Sequence, residues 1–181
     1  QLPEIFAGRG AVVVYATSEP EEALLLGGMT GLMNDGSVTQ FGPTAQIYRA
    51  PQDLVSAQVF SDPPINFATV TKQGDTARLT SQTTWPMAGD AAALADGTYT
   101  VAIRPHHVSP VPTKSCSIAL DGQVLVTELS GSESSAHFRM DAGDWVSLSH
   151  GVHPFKVGET HMFYLDPSAC FYFAPDGKIV A

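Results

Sequence analysis

Six histidines and two cysteines are the side chains of this chain best suited to holding a metal. His106 and His107 are adjacent, so on a strand they would point to opposite faces. His150 and His153 stand three apart in a Gly/Pro-containing stretch, and His137 and His161 fall in separate predicted strands. None of these spacings makes a ligand set, and exposed or polar-rim histidines are the expectation; no metal site is predicted. Cys116 and Cys170 have no Cys-x-x-Cys spacing, which disfavours zinc. Two cysteines with no basic-then-apolar leader in QLPEIFAGRG read as buried thiols of a reduced compartment.

Nucleophilic chemistry has raw material but no frame. There is no G-x-S-x-G elbow, and Ser130-Gly131-Ser132 reads as a turn. Glu128 and Glu133 could act as paired carboxylates, but solvated strand ends account for them better. Phe163, Tyr164, Phe171, Tyr172 and Phe173 alternate at strand spacing, as a core face with one exposed side would. Trp85, in a predicted loop, and Trp145, in a strand, could each stack on a sugar ring or a partner; ordinary burial is the better reading. A phosphate loop, an LSGGQ signature and an apolar strand closing on Asp-Glu are all missing from these residues.

The elements that would position these side chains change character along the chain. Hydrophobic residues make up 44% and charged ones 15%, the balance of a globular domain, and no apolar run approaches the roughly 18 to 20 residues of a membrane span. A net charge of -9 without a basic patch argues against nucleic acid as a partner. Leu2 to Ala7 reads as the tail of a helix, which implies preceding chain. Ala11 to Ala16 (AVVVYA) reads as a strand buried on both faces of a parallel sheet. Thr17 or Ser18 would cap a helix with Glu19, Glu21 and Glu22 in its first turn, ending at Gly27-Gly28.

Asn34-Asp35-Gly36 predicts a hairpin between Met29–Met33 and Ser37–Phe41. Helices over Thr44–Arg49 and Gln52–Phe60 follow, with Pro51 at the first turn of the second, before Pro63-Pro64 forces an extended exit. Beyond Ile65 short strands dominate. They are predicted at Phe67–Thr71, Thr76–Thr80, Tyr99–Ile103, Ser115–Leu120, Gln123–Leu129, Ser134–Met140, Asp144–Ser149, His161–Leu165, Cys170–Phe173 and Lys178–Val180. Turns are expected at Asp121-Gly122, Ala142-Gly143 and Asp176-Gly177, and WPMAGDAAALADG as a loop with one helical turn. The fold expected is mainly β: a small OB-fold-like barrel over 63–181, preceded by an α/β segment over 1–62.

Certain residues of both parts resemble a known family. Thr17, Glu22-Ala23, Asp35-Gly36, Gln40-Phe41-Gly42, Tyr48-Arg49-Ala50-Pro51 and Asp62-Pro63-Pro64-Ile65-Asn66-Phe67 resemble the end of the nucleotide-binding domain in ABC importer ATPase subunits of the maltose and glycerol-3-phosphate group. Ile103-Arg104-Pro105-His106-His107, Glu128-Leu129-Ser130-Gly131-Ser132-Glu133 and Val157-Gly158 resemble marks of its appended TOBE regulatory domain. The resemblance implies that 1–62 is the remnant of a P-loop nucleotide-binding domain and 63–181 the regulatory domain.

It further implies the C-terminal regulatory portion of an ABC importer ATPase subunit for a sugar or polyol, with the Ser-Glu-Pro pattern similar to a glycerol branch. Such a portion would mediate dimerisation and regulation and, by itself, hydrolyse no ATP; ATP and Mg would belong to the full-length parent. Implied partners are a second ATPase subunit, as homodimer or heterodimer, and membrane permease subunits. The implied location is cytoplasmic, peripheral on the inner face of a bacterial membrane. Two departures stand out. The family's switch histidine falls on Ser18, which lacks an imidazole's proton chemistry, and Gly42-Pro43-Thr44 departs from the usual turn order. The alternative is a stand-alone TOBE-type module binding a sugar or an oxyanion, with Arg104 and Lys114 as candidate donors.

Overall fold

The computed structural model describes residues 12–113 and 117–181. They fall into two compact units, Gln1–Asp62 and Pro63–Ala181. The helix tail expected at Leu2–Ala7, Lys114 and Cys116 lie outside the described residues.

The first unit is built on a hairpin, β1 (Met29–Asn34) and β2 (Ser37–Pro43). Asp35 and Gly36 both take positive φ, 47° and 75°, which suits a two-residue turn between twisted strands. Helices α1 (Pro20–Leu26), α2 (Thr44–Arg49) and α3 (Leu54–Val59) complete the unit. One hairpin face supplies Leu32 to a small core with Ile47 and Phe60, against which Ala23 and Tyr48 pack. The other face leaves Met29, Met33, Val38 and Phe41 exposed.

Three expectations for this unit need correction. Val12–Ala16 forms no ladder, and Val12 and Val14 are 95% and 91% exposed; a parallel strand needs neighbours that the described residues do not provide. Neither Thr17 nor Ser18 caps α1: Pro20 takes the first helical position, so Glu19 is the cap residue, and Thr17 Oγ1 instead accepts from the Glu19 amide at 2.9 Å. Helix α3 begins at Leu54, after Pro51, because Asp53 caps it by accepting from the Ser56 amide at 2.7 Å.

The second unit contains two five-stranded antiparallel sheets. The first runs β12 (Phe171–Phe173), β6 (Gly97–Ile103), β3 (Asn66–Gln73), β4 (Thr76–Arg78), β5 (Thr84–Pro86). The second runs β10 (Gly143–His150), β9 (Glu133–Met140), β8 (Ile118–Leu129), β11 (Thr160–Leu165), β7 (Val108–Ser109). Their inner faces share one core, with Val70, Trp85, Val101, Ile103, Leu120, Phe138, Trp145, Phe163 and Leu165 at its centre. Phe138 and Phe163 stack at 3.9 Å.

The second sheet is nearly closed into a barrel by side chains. Ser147 Oγ on β10 donates to the Val108 carbonyl on β7 at 2.7 Å. Beside it, the Asn66 amide donates to the Val146 carbonyl at 2.8 Å and accepts from the Val146 amide at 2.6 Å.

Asp121-Gly122 is not a turn. It lies within the twelve-residue β8, which joins the two strands expected there, and an added Cβ on Gly122 would fall within 2.9 Å of Phe138 Cγ. Glycine serves here for close approach, not for positive φ. Trp85 sits on β5, not in a loop; its indole nitrogen donates to the Tyr172 hydroxyl at 2.8 Å. Lys178–Val180 is no regular strand, though the Val180 amide donates to the Tyr172 carbonyl at 2.8 Å.

Candidate functional site

Ser18 sits at an exposed bend before α1, and its hydroxyl donates to Glu19 Oε1 at 3.3 Å. Glu22 gathers the neighbouring hydroxyls: Tyr15 donates to Oε2 at 3.0 Å and Thr17 donates to the same oxygen. The bond to Glu22 comes first among the causes that hold the Tyr15 hydroxyl above its usual range. The charged groups in sequence beside Ser18 are therefore carboxylates, Glu19, Glu21 and Glu22. A nucleotide's phosphates need cations or a nest of backbone amides, and these carboxylates supply neither.

A concavity of about 410 Å³ in the first unit lies between β2 and α2 and includes Phe41, Pro43, Gln46, Arg49 and Gln52. Gln40 holds its floor. Its side-chain amide donates to the Ala50 carbonyl and accepts from the Gln52 amide, both at 3.0 Å, around Pro51. The Gln40 and Pro51 positions that carry the family resemblance thus shape the chain.

In the second unit the Arg-Pro-His-His run forms a 3-10 turn, Pro105–His107, after β6. The two imidazoles lie 4.3 Å apart and tilted by 49°, on the same turn, where a strand would have pointed them to opposite faces. Desolvation first, then the positive charges of His107 and Arg104, bring His106 down to about 4. Arg104 is buried, its guanidinium 5.2 Å from the centre of the Phe171 ring. The Asp166 amide donates to the His107 carbonyl at 3.2 Å, and its carboxylate accepts from Ser168 Oγ at 2.6 Å. Burial, with the Asp166 charge beside it, pushes the Cys170 thiol up to about 12, which makes it an inert thiol.

The other candidates separate. His137 and His161 lie on β9 and β11, and His150 Nδ1 approaches Glu133 at 3.4 Å. Glu128 lies opposite Ser135, so Glu128 and Glu133 are not a directly opposed pair. No group of metal-ligating side chains occurs among the described residues. Trp85 and Trp145 are each 1% exposed, which removes them as stacking platforms.

Turns and closures occupy the remaining family marks. Gly131 takes φ 71° in the β8–β9 connection, and the Gly158 amide donates to the Val124 carbonyl at 2.8 Å. Sequence reasoning noted Asn66 only as part of a motif. Its signal was an amide on the inward-facing side of a strand, beside Ala68 and Val70.

Residues 101–173 match the model of the TOBE domain. The second unit, with its nearly closed barrel, is of that class. Over most of its length the chain is homologous to ATP-binding subunits of ABC importers, as the C-terminal part of such a subunit would be. It is 30% identical over 147 residues to the xylose/arabinose import ATP-binding protein XacK of Haloferax volcanii, covering 80% of this chain and 38% of the relative. It is 26% identical over 177 residues to the maltose/maltodextrin import ATP-binding protein MalK of Salmonella typhimurium, covering 93% of this chain and 47% of the relative. The chain thus spans less than half the length of these curated relatives.

Proposed function

We propose that this chain is the C-terminal regulatory portion of the ATP-binding subunit of an ABC importer for a sugar or polyol. It contributes dimerisation and regulation and hydrolyses no ATP by itself. The observation that carries this reading is the extent of the similarity: it runs through 93% of the chain, both units included, and is not confined to the TOBE match. The first unit is the end of a nucleotide-binding domain. Its exposed apolar residues, Val12, Val14 and Leu25 among them, suit an element made to be covered by more α/β structure.

ATP and Mg belong to the full-length parent, since these residues carry no phosphate-binding loop. Partners are a second ATPase subunit and membrane permease subunits at the inner face of the membrane. Among the described residues no helix is long and apolar enough to cross a bilayer.

Sedimentation at high micromolar concentration, paired with an ATP turnover assay, tests this. Self-association without turnover is expected. A strict monomer removes the dimerisation role, and turnover above buffer removes the regulatory assignment. Calorimetric titration with maltose, glycerol, glycerol-3-phosphate and molybdate is expected to be silent; heat with any of them turns the reading towards a ligand-binding module.

A further inference from the structure

We propose that Asn66 is a latch through which the segment joining the two units sets whether the open edge of the barrel is closed. Strand β10 pairs with β9 along one edge only; no strand ladder covers its other edge among the described residues. On that edge the Asn66 side chain stands in for a strand, exchanging two hydrogen bonds with Val146 as a paired residue would. Asn66 is 4% exposed, so neither it nor Val146 finds water if the pair separates by a small shift. The seam is therefore either latched or open.

Asn66 is also the first residue of β3, and only Ile65 separates it from Pro63-Pro64. Fixed φ at Pro63 and Pro64 leaves fewer backbone rotations to absorb a displacement at residue 62 before it reaches Asn66. Ser147, next to Val146, bonds the Val108 carbonyl on the opposite edge of the same sheet. Unseating Asn66 thus loosens the point where β10 and β7 meet. The latch would carry movement of residues 1–62 to the barrel, a route for regulation in the proposed importer subunit. Its geometry does not depend on that assignment.

Hydrogen exchange of the intact chain reads the latch directly, because the Val146 amide donates to Asn66 Oδ1. Asn66→Leu, which removes both bonds, is expected to speed Val146 exchange at least tenfold. Pro63→Gly with Pro64→Gly, which leaves every latch atom in place, is expected to speed it several-fold while β8 and β9 amides keep their wild-type rates. Unchanged Val146 exchange in the proline variant makes Asn66 a static staple and overturns the proposal. Uniform acceleration across β8 and β9 means global opening and overturns it as well. Neither result bears on sedimentation or ATP turnover, so the importer reading stands or falls separately.

Discussion

At the scale of single residues, adjacency in sequence proved a poor guide to chemistry, because local backbone decides where side chains point. On a strand His106 and His107 would point to opposite faces, but a 3-10 turn sets their rings 4.3 Å apart and tilted by 49°. The pairing has a consequence in acid. The His106 imidazole is held down to about 4, against an ordinary value near 6.5. Between those values the unfolded chain takes up a proton that the folded chain does not, so stability falls as pH drops through this window and this group adds no further loss below about 4. The ring is exposed to solvent, so the slope is shallower than a fully buried imidazole would give. Urea midpoints at pH 7 and pH 4.5 should differ less in His106→Gln than in the parent chain; equal differences would dismiss the effect.

At the scale of elements, hairpin chemistry was legible and strand continuity was not. Asp35-Gly36 takes two successive positive φ values, which few residues tolerate, so its sequence signature is local and strong. Asp121-Gly122 carries the same dipeptide signature and means something else: Gly122 lies inside β8 because the Phe138 ring, stacked on Phe163, occupies the space of a side chain. Gly122→Ala should therefore cost about 1–3 kcal/mol through overpacking. Equilibrium urea unfolding measures it, and the cost should shrink when Phe138→Leu is already present. A neutral Gly122→Ala would mean that the ring has room to retreat.

At the scale of the whole molecule, the two units differ sharply in what they bury. The first has a core of Leu32, Ile47 and Phe60, and no residue of α1 is buried. The second joins the inner faces of two sheets in one continuous core. Stability grows with the apolar surface removed from water, so the units should unfold at different denaturant concentrations. Limited proteolysis is expected to degrade the first unit and leave a fragment starting near residue 63, and urea unfolding to show two steps. One coincident transition by fluorescence and circular dichroism would refute this.

What the sequence by itself determined is local: turn residues with positive φ, helix breaks at prolines, the shift from mixed α/β to short strands, and ordered motifs that point to importer ATPases and a TOBE domain. These signals depend on neighbours in the chain, so they can be read without the fold. Tertiary structure alone decided the rest. AVVVYA has the pattern of a central strand, yet a strand exists only where others pair with it, and Val12–Ala16 has no ladder. Asn66 looked like one letter of a motif; only folding brings it to Val146, eighty positions along the chain, where its amide closes a sheet edge. Ladders, seams and close approaches join residues distant in sequence, and no local pattern records which partner arrives.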